Sequence, residues 1–333
     1  MKWVCFLVSL ISLSLVTGCS KVKPAATQSH TQNSTLAPLG SLQQCQQYSG
    51  LPEAWQNSKT AGMVWIPEGS FQLGSNLAYP DELNFGQAQR QVTGFWIDQT
   101  EVTVAQFSSF VKATGYITDA EKQKQAAVFS PDANNPKQWW QLKADYTWKN
   151  PNGPAGKAPL PSEPVRYVTK NDGEHYAVWL GRDLPTEQEW EYAAKAGSKS
   201  DTPLHQAPQD THQHPQANYW QGEFPFDNTV EDHFQSVAPV GCYASNAFKL
   251  FDMIGNVWEW TSSAYHGAHD QHMGNYAELR QQNSTATQYV LKGGSFLCAS
   301  NFCARYRNSS RYPQEFDLAA THVGFRTILR TVE

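Results

Sequence analysis

The chain carries no surplus of positive charge. Its 333 residues hold 25 Lys and Arg against 30 Asp and Glu, a net charge of −5. No basic stripe interrupts that balance, which argues against nucleic acid as a partner, because phosphates need one. No segment recurs with a period of about 20–50 residues, so solenoids and propellers are not expected. The apolar run Trp3–Val16 falls short of the ~20 residues a bilayer-spanning helix needs. Two histidine groups, His205/His212/His214 and His266/His269/His272, match neither zinc nor non-haem iron spacings and are not expected to hold metal. Cysteine is scarce, at six residues.

The N-terminus reads as a targeting segment, set aside from fold reasoning. Lys2, the apolar run and then Val16-Thr17-Gly18-Cys19 resemble a bacterial lipoprotein signal over 1–18, with Cys19 lipid-bearing. An ordinary secretory signal or a short anchor helix is the plainer reading. Ser20 after the cysteine, where Asp would signal retention, points to the outer membrane. The expected location is the bacterial cell envelope, with the chain lipid-anchored and facing the periplasm. The segment carries one lysine, so its loss moves the net charge from −5 to −6. Cys5 leaves with the signal, and Cys45, Cys242, Cys298 and Cys303 remain besides Cys19. Four cysteines allow three pairings, and an oxidising compartment permits any of them. Cys298 and Cys303 are expected to work together, which leaves Cys45 and Cys242 as a structural pair.

What is present is ample for a packed core: 40% hydrophobic residues, 13% aromatics and 12 Trp. Residues 19–60 are rich in Ser, Thr, Gln, Ala and Pro and read as a flexible tether, with one domain over 61–333. Met63–Pro67 and Gly69–Gly74 read as short strands around a turn, and Phe95–Asp98 as another. Helical spacing covers Val102–Thr114, stopped by Gly115, and Asn171–Gly181. Thr186 with Glu189 forms a capping-box pattern opening the most secure helix. From about 197 to 290 loops dominate, and bound Ca²⁺ is a usual source of order in such a region.

The segment from Lys292 to Arg311, K-G-G-S-F-L-C-A-S-N-F-C-A-R-Y-R-N-S-S-R, is the richest in chemistry. Thiolates are soft metal ligands and strong nucleophiles, so Cys298 and Cys303 suit Cu(I) or Zn, a disulfide, or redox work. Nearby Arg305, Arg307 and Arg311 would lower thiol pKa values or hold a peptide.

Six blocks carry a resemblance: M-V-W-I-P-E-G-S-F (63–71), L-P-T-E-Q-E-W-E-Y-A-A (184–194), A-N-Y-W-Q-G-E-F-P (217–225), F-D-M-I-G-N-V-W-E-W (251–260), the cysteine segment and V-G-F-R (323–326). From Gly62 to Arg330 the chain resembles the formylglycine-generating enzyme, or sulfatase-modifying factor, family. The resemblance implies a single compact α+β fold with little regular secondary structure, distantly related to C-type lectins. It implies oxidation by O₂ of a cysteine in a sulfatase, within a C-x-P-x-R-like motif, to formylglycine. It also implies Cu(I) between Cys298 and Cys303, with a position open to the substrate thiolate. Ser295 stands beside that site, and Trp258, Phe302 and Arg311 stand where the family meets substrate. Two Ca²⁺ sites are implied: Asn218, Asp232 and the carbonyls of Tyr219 and Phe234; and Asp252, Glu259 and the carbonyls of Gly255 and Val257.

The chain departs from the family in places. Asp183 replaces a basic residue, Phe302 a tyrosine and Asn308 a cysteine, and a polar insert stands where P-W-G-N is usual between 197 and 217. These read as scaffold differences. The competing function is a non-catalytic lipoprotein that binds or assembles partners. Retention of Cys298, Cys303, Ser295 and Arg311 counts against it. Iron-dependent sulfoxide synthases need an extra His-bearing domain, for which the tether leaves no room.

Overall fold

The structure is a computed structural model, and it describes residues 39–83, 89–131, 139–199, 202–267 and 288–331. Cys19 with the signal, and His269 and His272, lie outside the described residues. The tether expected over 19–60 is corrected for residues 39–60, which fold onto the domain. Helix α1 (Leu42–Gln47) is capped by Ser41 and carries the buried Cys45, which is disulfide-bonded to Cys242. The Gly40 N–H donates to the Gly241 carbonyl at 2.8 Å. The Thr103 hydroxyl donates to the Gly50 carbonyl at 2.5 Å. Polar composition hid this region, because its order comes from a disulfide, a few backbone contacts and isolated apolar anchors such as Trp55 and Leu42 rather than from a periodic apolar face.

Strand β1 (Met63–Ile66) begins the first sheet. Strands β2 (Gly69–Phe71) and β3 (Arg90–Val92) form a two-stranded antiparallel ribbon. β4 (Phe95–Asp98) pairs with β1 antiparallel, Val64 opposite Ile97. Helix α2 (Val104–Thr114) starts at a Thr103–Gln106 capping box and stops at Gly115, whose φ of 69° suits glycine. Helix α3 (Asp119–Gln123) leads into β5 (Ala126–Phe129), which pairs with β6 (Trp140–Lys143). Helices α4 (Lys170–Trp179) and α5 (Glu187–Lys195) follow. The α5 cap is the one expected: the Thr186 N–H donates to Glu189 Oε2 at 2.8 Å. From 197 to 257 the described residues hold no helix or strand beyond isolated bridges.

Strands β7 (Trp258–Ala264), β8 (Gln288–Lys292), β9 (Arg311–Glu315) and β10 (Val323–Gly324) form a four-stranded sheet in the order β10-β7-β8-β9. The chain closes on β11 (Ile328–Arg330), beside β4. Strand alternation puts Val64, Ile66, Phe95, Ile97 and Ile328 on one side of the first sheet, packed against Trp190, Ala193 and Ala194 of α5. A second core gathers Phe107, Phe110, Tyr176, Trp260 and Phe325 around α2, α4 and the larger sheet. Each large side chain fully buried there contributes about 1.5–3 kcal/mol over exposure. Leu291 of β8 joins the second core, β9 pairs with β8, and the loop between those strands carries the thiols. Asp183, the departure before L-P-T-E, is paired with Arg330 at 2.8 Å.

Candidate active site

The loop between β8 and β9 is shaped by two glycines. Gly293 and Gly294 adopt φ of 95° and 82°, where side chains are strained. A Cβ on Gly294 would stand 2.3 Å from the Arg305 carbonyl oxygen. The chain can therefore fold back tightly and set Ser295 and Cys298 beside Cys303. Local turns then fix the loop: the Cys298 N–H donates to the Ser295 carbonyl at 2.9 Å, and the Arg305 N–H to the Cys303 carbonyl at 2.8 Å. The Trp220 N–H donates to the Cys298 carbonyl at 2.9 Å, which fastens the loop to the 217–221 segment.

Neither thiol is in a disulfide. Both line a cavity of about 510 Å³, together with Ser295, Trp258, Phe302 and Tyr312. The two sulfurs share a hydrogen bond. Burial first, and then donation to its neighbour, push the Cys298 thiol well above the usual range. The same hydrogen bond is the main cause that lowers Cys303, and the Arg305 cation adds to it. The environment thus pushes the two thiols apart in acidity, with Cys303 the readier of the pair to lose its proton. The Ser295 N–H also points to the Cys298 sulfur at 3.4 Å.

The structure brings most of the expected site together. Ser295 is fully buried at the cavity wall, and its hydroxyl oxygen accepts from the Leu297 N–H at 3.2 Å. Trp258, at the start of β7, presents its ring to the cavity 5.9 Å from Tyr312. Phe302 is half exposed at the mouth and stacks on Phe224 at 4.6 Å.

Arg311 is not among the cavity-lining residues. Its side chain is buried, and its Nε donates to Glu187 at 2.7 Å, so it ties β9 to α5. The cation in the cavity is Arg305, anchored by Asp81 and Glu82 and stacked on Tyr79 at 4.3 Å. Sequence reasoning passed over His322, which lines the same cavity with its ring 4.8 Å from Trp140. Burial of that ring lowers its pKa to about 3, so the imidazole is neutral. No spacing relates it to the cysteines, and only the adjacent V-G-F-R block could have drawn attention to it.

The first expected calcium set is gathered. The Asp232 carboxylate is buried, and burial raises its pKa. It accepts from the N–H groups of Tyr219 (3.1 Å) and Phe234 (2.9 Å). Asn218 Oδ1 is buried without a hydrogen-bond partner, an oxygen whose lone pairs suit a hard cation. The second set differs from expectation. Both oxygens of Glu259 are taken, by Arg326 at 2.7 Å each and by Trp190 at 2.7 Å. Asp252 accepts from the Gly241 N–H at 2.6 Å, and burial pushes its pKa up to about 6. Beside it lies Glu101, which the sequence reading missed. It is fully buried and neither oxygen receives a hydrogen bond. Burial, then the neighbouring charges of Asp252 and Glu259, push its pKa well above the usual carboxylate range. Each group holds hard oxygens of the kind a divalent cation takes, Asn218 Oδ1 in the first and the Asp252 and Glu101 carboxyls in the second, although no three His, Cys, Asp or Glu side chains form a metal-ligating cluster among the described residues. The histidines take other work: His205 contacts the Ser300 carbonyl at 3.1 Å, and His214 contacts Asp210 at 3.2 Å.

Comparison with known proteins agrees with this geometry. Residues 48–331 match the family model described as sulfatase-modifying factor enzyme 1-like domain. The protein named formylglycine-generating enzyme from Mycobacterium tuberculosis is 37% identical over 292 residues, covering 80% of this chain and 97% of that protein. One named inactive C-alpha-formylglycine-generating enzyme 2, from Bos taurus, is 34% identical, covering 81% and 88%. Among solved structures, PvdO from Pseudomonas aeruginosa shares the fold with a TM-score of 0.56 and 24% identity, covering 82% of this chain and 96% of that one. The chain belongs to the sulfatase-modifying factor enzyme 1-like family.

Proposed function

We propose that the chain oxidises a cysteine of a sulfatase polypeptide, within a C-x-P-x-R-like motif, to formylglycine, with O₂ as oxidant. The observation that carries this reading is the unjoined pair of Cys298 and Cys303 on the wall of one open cavity. Two soft sulfurs lining one cavity suit a monovalent soft metal, and Cu(I) is the ion those residues would hold. When bound, it would supply affinity for a third thiolate and one-electron chemistry toward O₂. The overall change takes CH₂–SH to CHO, releases the sulfur as H₂S and reduces O₂ to the level of water, with an external thiol supplying the remaining electron pair.

The chain's own residues do the rest. Trp258, Tyr312 and Phe302 offer apolar faces to a bound peptide and keep bulk water from the thiols. Arg305 adds to the hydrogen bond from Cys298 in lowering the pKa of the Cys303 thiol. The Ser295 N–H steadies Cys298. Ca²⁺ at the Asn218 and Asp232 oxygens would brace the segment whose Trp220 N–H holds the Cys298 carbonyl. Ca²⁺ at Asp252 and Glu101 would relieve a buried concentration of carboxyl groups. The chain reaches its substrate from the outer membrane, anchored through lipid on Cys19 and facing the periplasm. Loss of labelled fatty-acid incorporation in Cys19→Ala tests the anchor.

The deciding assay loads the purified chain with Cu(I), then adds a cysteine-containing sulfatase peptide, O₂ and a thiol reductant. Mass spectrometry reads conversion of cysteine to the aldehyde. Absence of conversion at every copper loading would favour the non-catalytic binding role instead.

A further inference from the structure

A second cavity, of about 440 Å³, lies against the wall of the thiol cavity. The two share Leu297. Strand β5 runs between them, with Ala127 lining the thiol side and Val128 and Phe129 the other. The second cavity contains an unusual group, a buried guanidinium without an ion pair. Arg166 is 4% exposed. Its Nη2 donates to Asn152 at 2.8 Å, and its Nη1 reaches the Thr321 carbonyl at 3.5 Å. Its Nε is buried with no partner. Glu163 is near enough to be felt electrostatically, but it lies outside the cavity lining and forms no ion pair with Arg166 among the described residues. The cavity's other cation is Lys143, whose Nζ donates to Ser130 at 2.8 Å. No Asp or Glu lines the cavity among the described residues.

A buried cation with an unused donor is costly unless an anion meets it. The planar donor fork of arginine matches a carboxylate. Around it the walls are apolar and aromatic, including Phe129, Trp220 and Phe296, which suits a side chain rather than a bare inorganic ion. We infer that this cavity is a carboxylate-binding site, built on Arg166 and Lys143, that takes an acidic side chain of the polypeptide whose cysteine enters the neighbouring thiol cavity. The identity of that polypeptide rests on the function proposed above. The carboxylate site itself does not depend on the thiols.

The test is calorimetric titration of the full chain with a blocked, cysteine-free peptide carrying one central Glu, with its Gln counterpart, and with free glutarate. The Glu peptide should bind at least about tenfold more tightly than the Gln peptide. Arg166→Gln and Lys143→Gln should each remove that preference, and Lys143 is partly exposed, so its variant is expected to fold. Cys303→Ser should retain the preference, which separates failure of this site from failure of the catalytic reading. Glutarate binding as tightly as the Glu peptide and displacing it would identify a free small acid as the ligand and overturn the polypeptide assignment. Equal binding of the two peptides, or an undiminished preference in Lys143→Gln, would overturn the site.

Discussion

The molecule holds two pairs of cysteines in opposite chemical states. Cys45 and Cys242 are joined, bridging a sequence separation of 197 residues, and sit in a small apolar cluster with Ala238. Cys298 and Cys303 have four residues between them in the loop between β8 and β9 and remain unjoined, facing a cavity. The first pair has nothing to meet but packing atoms. The second has a neighbouring cation, a backbone N–H and open space. Proximity therefore does not decide the state of these sulfurs. Turn geometry and electrostatics do, and they divide the pairs into a staple and a reactive site.

The contrast breaks most sharply at the second pair. Cys298→Ser or Cys303→Ser should lower the rate of cysteine-to-aldehyde conversion by roughly 10³-fold or more, since paired groups acting as one unit fail together. Their melting temperature should stay near that of the parent chain. Arg311→Met should do the reverse. It removes two hydrogen bonds to Glu187 and leaves that carboxylate only the longer Lys292 contact at 3.7 Å, a loss of about 1–3 kcal/mol by denaturant titration, with KM for a sulfatase peptide unmoved. A raised KM in a stably folded variant would return Arg311 to the substrate. The doubly substituted Cys45→Ser/Cys242→Ser should lose about 2–5 kcal/mol while keeping turnover at low temperature. A large loss of turnover there would show that the staple also shapes the site.

Smaller effects sharpen the comparison further. Asp172, a capping acid of α4, has its pKa raised by burial to about 6 from 3.8. A raised carboxyl keeps its proton in the folded chain after the unfolded chain has lost it. Stability should therefore fall as pH rises from about 4 to about 6 and then level off, and Asp172→Asn should flatten that part of the curve in thermal melts. Phe302→Ala, at the cavity mouth, should raise KM several-fold, on the order of 1 kcal/mol of lost aromatic contact, without moving the melting temperature.

How much was legible in the sequence varies with the range of the interaction. The Thr186–Glu189 cap, the stop at Gly115 and the strand at Phe95–Asp98 were readable because each depends on neighbours within a few residues. The folded stretch from Leu39 was not, because a disulfide to Cys242 and a hydrogen bond from Thr103 order it across great sequence distance. Within the site, Ser295, Cys298 and Cys303 were legible as one motif. His322 and Glu101 were not, since each reaches its site from a distant element. Arg311 was misread because closeness in sequence to the thiols is not closeness in direction: β9 turns its guanidinium toward α5.

The sequence by itself determined the short-range pieces: which residues start and stop helices, which strands alternate, and that two thiols with a double glycine before them would share one loop. Only the tertiary structure decided which of those groups meet. Arg305 rather than Arg311 faces the sulfurs, Glu101 joins Asp252, and Arg166 is buried without an ion pair among the described residues. The physical reason is that local conformation is set by backbone sterics and nearby hydrogen bonds, whereas burial and charge depend on elements brought together from across the chain.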